Sequence, residues 1–378
     1  MRRLDELTLA DVAVRDGLKW TQVGPGVIPA WVADMDFPPP EAVREAVARR
    51  VATDLGYPGW LDDATVGPLA EAFSERMETR YGFQADPTLV RAFTDLNQVL
   101  QIILHLLTEP GDGVLVHTPT YNAFLDTLRV MNRPPVPMKL TPNGETWTFE
   151  QPADVAGAKV LLLVNPHNPT GHCFTRAELQ GLAELAERHD LIVIADEIHA
   201  DLAYSPGAHV SFGSLLPDRT ITLTSASKAF NMGGVHCAVA HLGHPAVKAA
   251  LDAQPPHLYG AAGVLGVDAT VAAWRHGDAW LAEVLTILDH NRKLIAERIP
   301  ADVRYQIPAA TYLGWLDFGI PDAAGRLESE AGVRLNPGPL FGAPDGFARL
   351  NFGTSPPILE EILTRIGTAM PRISADLS

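Results

Sequence analysis

Four short apolar runs punctuate the middle of the chain: Gly113–His117, Val160–Val164, Leu191–Ala195 and Thr220–Thr224. Each is only five residues long, the first three apolar at most positions and the fourth alternating threonine with Ile221 and Leu223, and each is expected to be a strand buried on both faces. Between the second and third runs, Leu179, Leu182 and Leu185 recur at helical spacing within Thr175–His189. Thr175 with Glu178 three residues on reads as a capping box that starts this helix. Strands alternating with helices of this length predict βαβ units, and therefore an α/β fold with a mainly parallel sheet. Ligands of such sheets lie beyond the carboxyl ends of the strands, so the residues that follow each run are the ones to inspect.

The two ends of the chain carry a different pattern. Residues 1–40 are irregular and proline-rich, with Pro25, Pro29 and the run Pro38-Pro39-Pro40. An amphipathic stretch from about Trp274 to Ile299 precedes the alternating strand Tyr312–Phe318, a Gly/Pro-rich segment at Asn336–Gly342 and a short strand at Ala348–Phe352. The expected organisation is a large domain over 41–276, with a smaller α+β domain built from 1–40 and 277–378.

The 378 residues hold 29 lysines and arginines against 45 aspartates and glutamates, a formal charge of −16. Such a surface repels phosphate backbones and anionic lipid, which argues against nucleic acid or membrane as partner. No apolar run approaches the roughly 20 residues of a membrane helix. The opening Met1-Arg2-Arg3-Leu4-Asp5-Glu6 turns acidic instead of running into an apolar signal core, and Cys173 and Cys237 are the only cysteines; both features lead us to expect a cytoplasmic protein. No Gly-Lys step, Gly-x-Gly-x-x-Gly or Gly-x-Ser-x-Gly occurs, which excludes a Walker loop and leaves no dinucleotide or nucleophile-elbow motif. His241-Leu242-Gly243-His244 has no clustered cysteine or acidic companions, so it reads as a surface loop and not as a metal pair.

The strand ends carry chemistry. Val160–Val164 runs into Asn165-Pro166-His167-Asn168-Pro169-Thr170-Gly171, Leu191–Ala195 into Asp196-Glu197-Ile198-His199, and Thr220–Thr224 into Ser225-Ala226-Ser227-Lys228. Taken singly, each is ordinary turn or cap chemistry. Together they place an amide, a carboxylate, two hydroxyls and an amine at one edge of one sheet. Pyridoxal phosphate needs this set: a lysine for its aldehyde, an anion for its ring nitrogen, donors for its phosphate and a neutral donor for its ring oxygen. The chain has six lysines, and only Lys228 sits at a strand end among phosphate-type neighbours.

At this point the chain resembles the fold-type I pyridoxal-phosphate enzymes of the aminotransferase class I/II superfamily. Within them it is similar to the cystathionine β-lyase-like carbon–sulfur lyases related to the maltose-regulon modulator protein. The resemblance rests on Trp31–Phe37, Thr118–Phe124, Asn165–Gly171, Asp196–Leu202, Ser225–Asn231, Thr311–Phe318 and Gly346–Phe352, in the family's order along nearly the whole chain. It implies that Lys228 holds the cofactor covalently, Asp196 pairs with its ring nitrogen, and Asn168 and His199 approach its ring oxygen. Tyr121 would stack on the ring, with Ser225 and Ser227 beside the phosphate. Helix amides should meet the phosphate too, and those of Leu96 and Asn97, opening the apolar stretch Val99–Leu107, are the candidates, with Asp95 as cap.

On the substrate side the resemblance implies that Arg349 grips the amino-acid carboxylate and that Tyr57 is donated across a homodimer to the neighbour's site. Trp31, Ala33, Asp34 and Tyr312 would line the channel. Two segments depart from the family: Thr94–Gln98 lacks its glycine- or proline-containing turn, and Leu258–Gly266 lacks its polar residue facing the partner subunit. His236 stands where aspartate-type aminotransferases carry a phosphate-binding arginine, which tilts the expectation toward the lyases.

The expected reaction is β-elimination from an S-substituted cysteine, with Lys228 as general base, giving a thiol, pyruvate and ammonia. Transamination, a specialised enzyme acting on a cysteine S-conjugate in secondary metabolism, and a regulatory protein-binding role remain the alternatives.

Overall fold

The computed structural model describes residues 3–376 apart from 153, 156, 256 and 257. Its centre is a seven-stranded sheet in the spatial order Val90–Phe93, Ala238–Leu242, Thr220–Thr224, Ile192–Asp196, Ala158–Val164, Gly113–Thr118 and Pro135–Lys139. Every pairing from Thr220–Thr224 to Pro135–Lys139 is parallel. Ala238–Leu242 alone runs against its neighbours on both sides. The strand Val90–Phe93 therefore points the same way as the five parallel ones, and the helix Leu96–Leu107 that follows it starts at the sheet's functional edge.

The apolar runs are buried on both faces, as their pattern predicts. Val160, Leu162 and Val164 pack with Val114, Val116 and the helix residues Val99, Leu100 and Ile103. Leu161 and Leu163 face the other way, onto Leu179, Leu182 and Leu185 of the helix Arg176–Arg188. That helix opens with the expected capping box: Thr175 Oγ1 accepts from the Glu178 amide at 3.2 Å, and Glu178 accepts from the Thr175 amide at 2.7 Å.

A second, four-stranded antiparallel sheet orders Arg304–Tyr305, Leu313–Asp317, Phe347–Asn351 and Asn336–Pro337. The long helices Asp278–Arg298 and Pro356–Ala375 accompany it. The chain's beginning joins here, because Ile28–Pro29 pairs in parallel with Val333–Arg334.

The structure corrects two sequence expectations. His241 is not in a surface loop: it is buried in the strand Ala238–Leu242, with ring centroids 5.2 Å from Phe83 and 6.2 Å from Phe73. An imidazole among apolar neighbours looks polar in sequence and breaks the pattern that marks a strand, but here it packs as an aromatic. Trp274 also does not open the later amphipathic helix. It belongs to the helix Val264–His276, and Gly277 separates that helix from Asp278–Arg298.

Candidate active site

The carboxyl ends of the parallel strands converge on one cavity of about 360 Å³. Its wall includes Tyr121, Asn168, Asp196, His199, Ser225, Ser227 and Lys228, together with Leu96 and Asn97 at the helix start and Ala33 from the N-terminal segment. These residues come from loops far apart in sequence, and the shared strand direction brings them to one rim.

Asp196 ends its strand, is buried, and accepts one hydrogen bond, from the Ile198 amide at 3.0 Å. Burial, with the neighbouring Glu197 charge, pushes its pKa up to about 7, against the pull of that bond and of Lys228. A cation set against this carboxylate would restore its ionised form. His199 is neutral: burial first, then the charges of Lys228 and Arg349, lower its pKa to about 3. Its Nδ1 is buried without a partner, a group that a ligand atom would satisfy. Burial also lowers the pKa of Lys228, and its Nζ donates to the Ala33 carbonyl at 3.0 Å.

At the other end of the cavity, Asp95 caps the helix by accepting from the Gln98 amide at 2.9 Å, as expected. Helix geometry leaves the amides of Leu96 and Asn97 without intrahelical acceptors. Ser225 Oγ donates to the Cys237 carbonyl at 2.7 Å and accepts from the Ser227 amide at 3.1 Å. A lysine amine held only by a backbone carbonyl, a buried carboxylate without an ion pair, an orphaned imidazole nitrogen and a helix N-terminus with two serines form the set that suits pyridoxal phosphate.

Arg349 approaches from the small sheet. It is buried, donating to Asn168 Oδ1 and to the Trp31 carbonyl, both at 3.0 Å. Its Nε has no partner, and its guanidinium stacks 4.7 Å over the Phe341 ring. Burial lowers its pKa to about 10. A buried guanidinium with no anion beside it is costly alone, and a substrate carboxylate would complete it.

The segment Trp31–Phe37 is a strap across the site, and its backbone does most of the work. The carbonyl of Trp31 meets Arg349, and that of Ala33 meets both Lys228 and the Tyr312 hydroxyl, the latter at 2.8 Å. The carbonyls of Val32 and Asp34 accept from Asn351 at 2.6 and 2.7 Å. Asn231 clamps the next residues, accepting from the Met35 amide and donating to the carbonyls of Met35 and Phe37. Asp36 is buried in an ion pair with Lys19 at 2.7 Å and also accepts from Trp20 Nε1. Sequence reasoning missed Asn231, Asn351 and Lys19. The only signal was that Asn231 ends one quoted motif and Asn351 stands next to last in another.

The remaining substrate-side residues fall in different places. Tyr312 is fully buried behind Ala33, 6.3 Å from the His199 ring, and stays outside the cavity wall. Asp34 lines an adjoining chamber, and Trp31 is half-buried beneath Arg334, whose guanidinium lies 4.5 Å over its ring. Tyr57 is 89% exposed and lines a separate groove with Leu61, Leu258 and Tyr259. Gly171 has a structural role: at φ +68, a Cβ there would meet Pro308 Cβ at 2.2 Å, so only glycine permits the close approach of Pro308 to the Asn165–Gly171 turn.

Fold and site together define a chain of the pyridoxal-phosphate type, and the comparisons agree: the family model for aminotransferase class I and II matches residues 32–366, and the chain belongs to that family. It is 34% identical to the cystathionine beta-lyase of Corynebacterium glutamicum over 96% of this chain and 99% of that one. It is 32% identical to the protein MalY of Escherichia coli, covering 86% and 87% of the two chains. Among solved structures it resembles a putative PLP-dependent beta-cystathionase from Corynebacterium diphtheriae, with a TM-score of 0.86 and 31% identity over 97% of this chain and 98% of that one.

Proposed function

We propose that this protein is a pyridoxal-phosphate-dependent carbon–sulfur β-lyase that cleaves an S-substituted L-cysteine of the cystathionine type. The carrying observation is that Lys228, Asp196, Asn168 and His199 converge on one cavity in a chain similar along nearly its whole length to a cystathionine beta-lyase. Lys228 would hold the cofactor, Asp196 its ring nitrogen, and Asn168 and His199 its ring oxygen. Tyr121 would lie against the ring, and Ser225, Ser227 and the Leu96 and Asn97 amides would bind the phosphate. When bound, the group supplies an electron sink for the pair released at the substrate's Cα.

The protein's own residues do the rest. The Lys228 amine, held in a site that disfavours its charge, takes the Cα proton. The Ala33 carbonyl fixes that amine in place. Arg349 binds the substrate carboxylate and so sets the orientation of the Cα–H bond. Loss of the Cα proton and of the Cβ–S bond gives a thiolate, which takes up a proton to become the thiol, and aminoacrylate, which water converts to pyruvate and ammonia. A small domain from residues 1–40 and 277–378 would close over the large domain, 41–276. The exposed Tyr57, Leu55, Leu61 and Leu258 around one groove support a homodimer in which Tyr57 reaches the partner's site. A cytoplasmic setting fits the two free thiols.

The test supplies L-cystathionine and scores thiol and pyruvate together. Equal release of both is expected. Transfer of the amino group to an added keto acid, with no thiol released, would replace the lyase reading by an aminotransferase one.

A further inference from the structure

Thr94, Asp95, Leu96 and Asn97 form one rim of the cavity that also holds Lys228 and the unpartnered Nδ1 of His199. Two side chains that do not line the cavity hold this rim. The first is Gln98, half-buried one residue further on. Its Oε1 accepts from the Thr94 amide at 3.0 Å and from the Thr94 hydroxyl at 2.9 Å. Its own amide donates to Asp95 Oδ1 at 2.9 Å, and its Nε2 donates to the Tyr259 carbonyl at 2.8 Å. Thr94–Gln98 and Leu258–Gly266, the two segments that depart from the family pattern, are thus tied together by one side chain.

The second is Thr127, buried in the helix Asn122–Val130. Its Oγ1 donates to Asn97 Oδ1 at 2.9 Å and accepts from Gln101 Nε2 at 3.2 Å. With its oxygen engaged, the Asn97 side chain offers the cavity its Nδ2 hydrogens, the polarity an anion requires.

This rim needs holding. A helix N-terminus draws an anion only while its first amides face it. Here the protein's own anion, Asp95, immediately precedes those amides, and its charge opposes a phosphate. Its carboxylate is instead turned back onto its own helix, with Oδ1 on the Gln98 amide and Oδ2 3.3 Å from the Thr94 hydroxyl. In a capping box the third helical residue reaches back to the N-cap amide. Gln98 is that third residue and reaches one position further, to Thr94, so a side-chain acceptor fixes the backbone entering the helix.

We propose that Gln98 and Thr127 are positioning residues for the cofactor's phosphate. They keep the amides of Leu96 and Asn97 toward it and the Asp95 carboxylate away from it, which rests on the reading above that the phosphate lies at this helix start. Neither lines the cavity, so both act through the turn.

Equilibrium dialysis of the full-length protein with pyridoxal phosphate and with pyridoxal, which lacks the phosphate, measures the affinity that the phosphate supplies. Gln98→Met and Thr127→Val keep the approximate size of each side chain and remove its hydrogen bonds. Each should weaken pyridoxal phosphate by roughly tenfold, the weight of one hydrogen bond to a charged group, and leave pyridoxal within about twofold. Thr127→Ser, which retains the hydroxyl, should restore the wild-type ratio. General destabilisation would weaken both ligands alike. An unchanged ratio in one variant therefore removes that residue from its role, and an unchanged ratio in both overturns the proposal while leaving the phosphate at this rim. A wild type that holds the two ligands equally well would instead remove the phosphate from this rim altogether.

Discussion

The two walls of the active-site cavity are built in different ways. On one side, Asp196, Asn168 and the Ser225–Lys228 cluster each follow directly on a buried strand, so a few consecutive residues set both the strand's end and the functional group. On the other side, Arg349 and the strap Trp31–Phe37 are positioned by contacts between residues hundreds of positions apart, such as Arg349 to Trp31 and Asn231 to Met35. The first wall is as rigid as the sheet. The second exists only when the four-stranded sheet and the N-terminal segment are both in place. The groups proposed to hold the cofactor are on the sheet, and those proposed to recognise the substrate are held by contacts between distant segments.

Experiments can sharpen or break this contrast. Lys228→Ala should lower thiol release by roughly 10³-fold or more, since it removes the group proposed as general base and cofactor anchor; the fold should persist, with an unchanged far-ultraviolet spectrum. Arg349→Ala should cost about 10²-fold in kcat/KM, mostly through KM, with cofactor affinity little changed. An equal loss of cofactor would show that the two walls are not separable.

Asp196→Asn probes the sheet wall through pH. In the cofactor-free protein the folded-state pKa of Asp196 is raised from 3.8 to about 7. Between those values the folded state holds a proton that the unfolded chain releases. Asp196 therefore subtracts stability as pH rises through that window, by up to about 4 kcal/mol. Relative to the Asn variant, the cofactor-free wild type should lose stability from about pH 4 to 7 and then level off. Denaturant titrations across that range check the sign. The buried neutral His199, titrating in the opposite sense, is common to both proteins and cancels.

Asn231→Ala probes the strap. It leaves the Met35 amide and the carbonyls of Met35 and Phe37 without their clamp. The expected cost is about 2–3 kcal/mol, with a rise in KM as Ala33 loses its register. Thr175→Ala, at a helix cap, should cost about 1 kcal/mol and leave KM alone. If both variants moved KM alike, general destabilisation would explain the strap's effect.

How much of this was readable in advance follows the same division. The four apolar runs announced themselves because a strand buried on both faces needs apolar residues throughout, and the polar groups at their ends stood out by contrast. The strand Ala238–Leu242 was hidden by His241, whose polarity disguises a buried packing role. Tyr312 belonged to a quoted motif, but only the structure shows its hydroxyl supporting the Ala33 carbonyl from behind. The asparagine clamps were invisible because their partners are backbone atoms, which every residue has.

The amino-acid sequence by itself determined four strands of the seven-stranded sheet, their functional edge and the cofactor-type groups along that edge, because strand burial and strand-end chemistry are local in the chain. Only the tertiary structure decided which carbonyl Lys228 and Arg349 would meet, that Asp196 would be buried without an ion pair, and that Gln98 would join the Thr94–Asn97 turn to Tyr259. Those outcomes depend on how segments far apart in the chain pack together, and desolvation and long-range contacts of that kind have no local pattern to read.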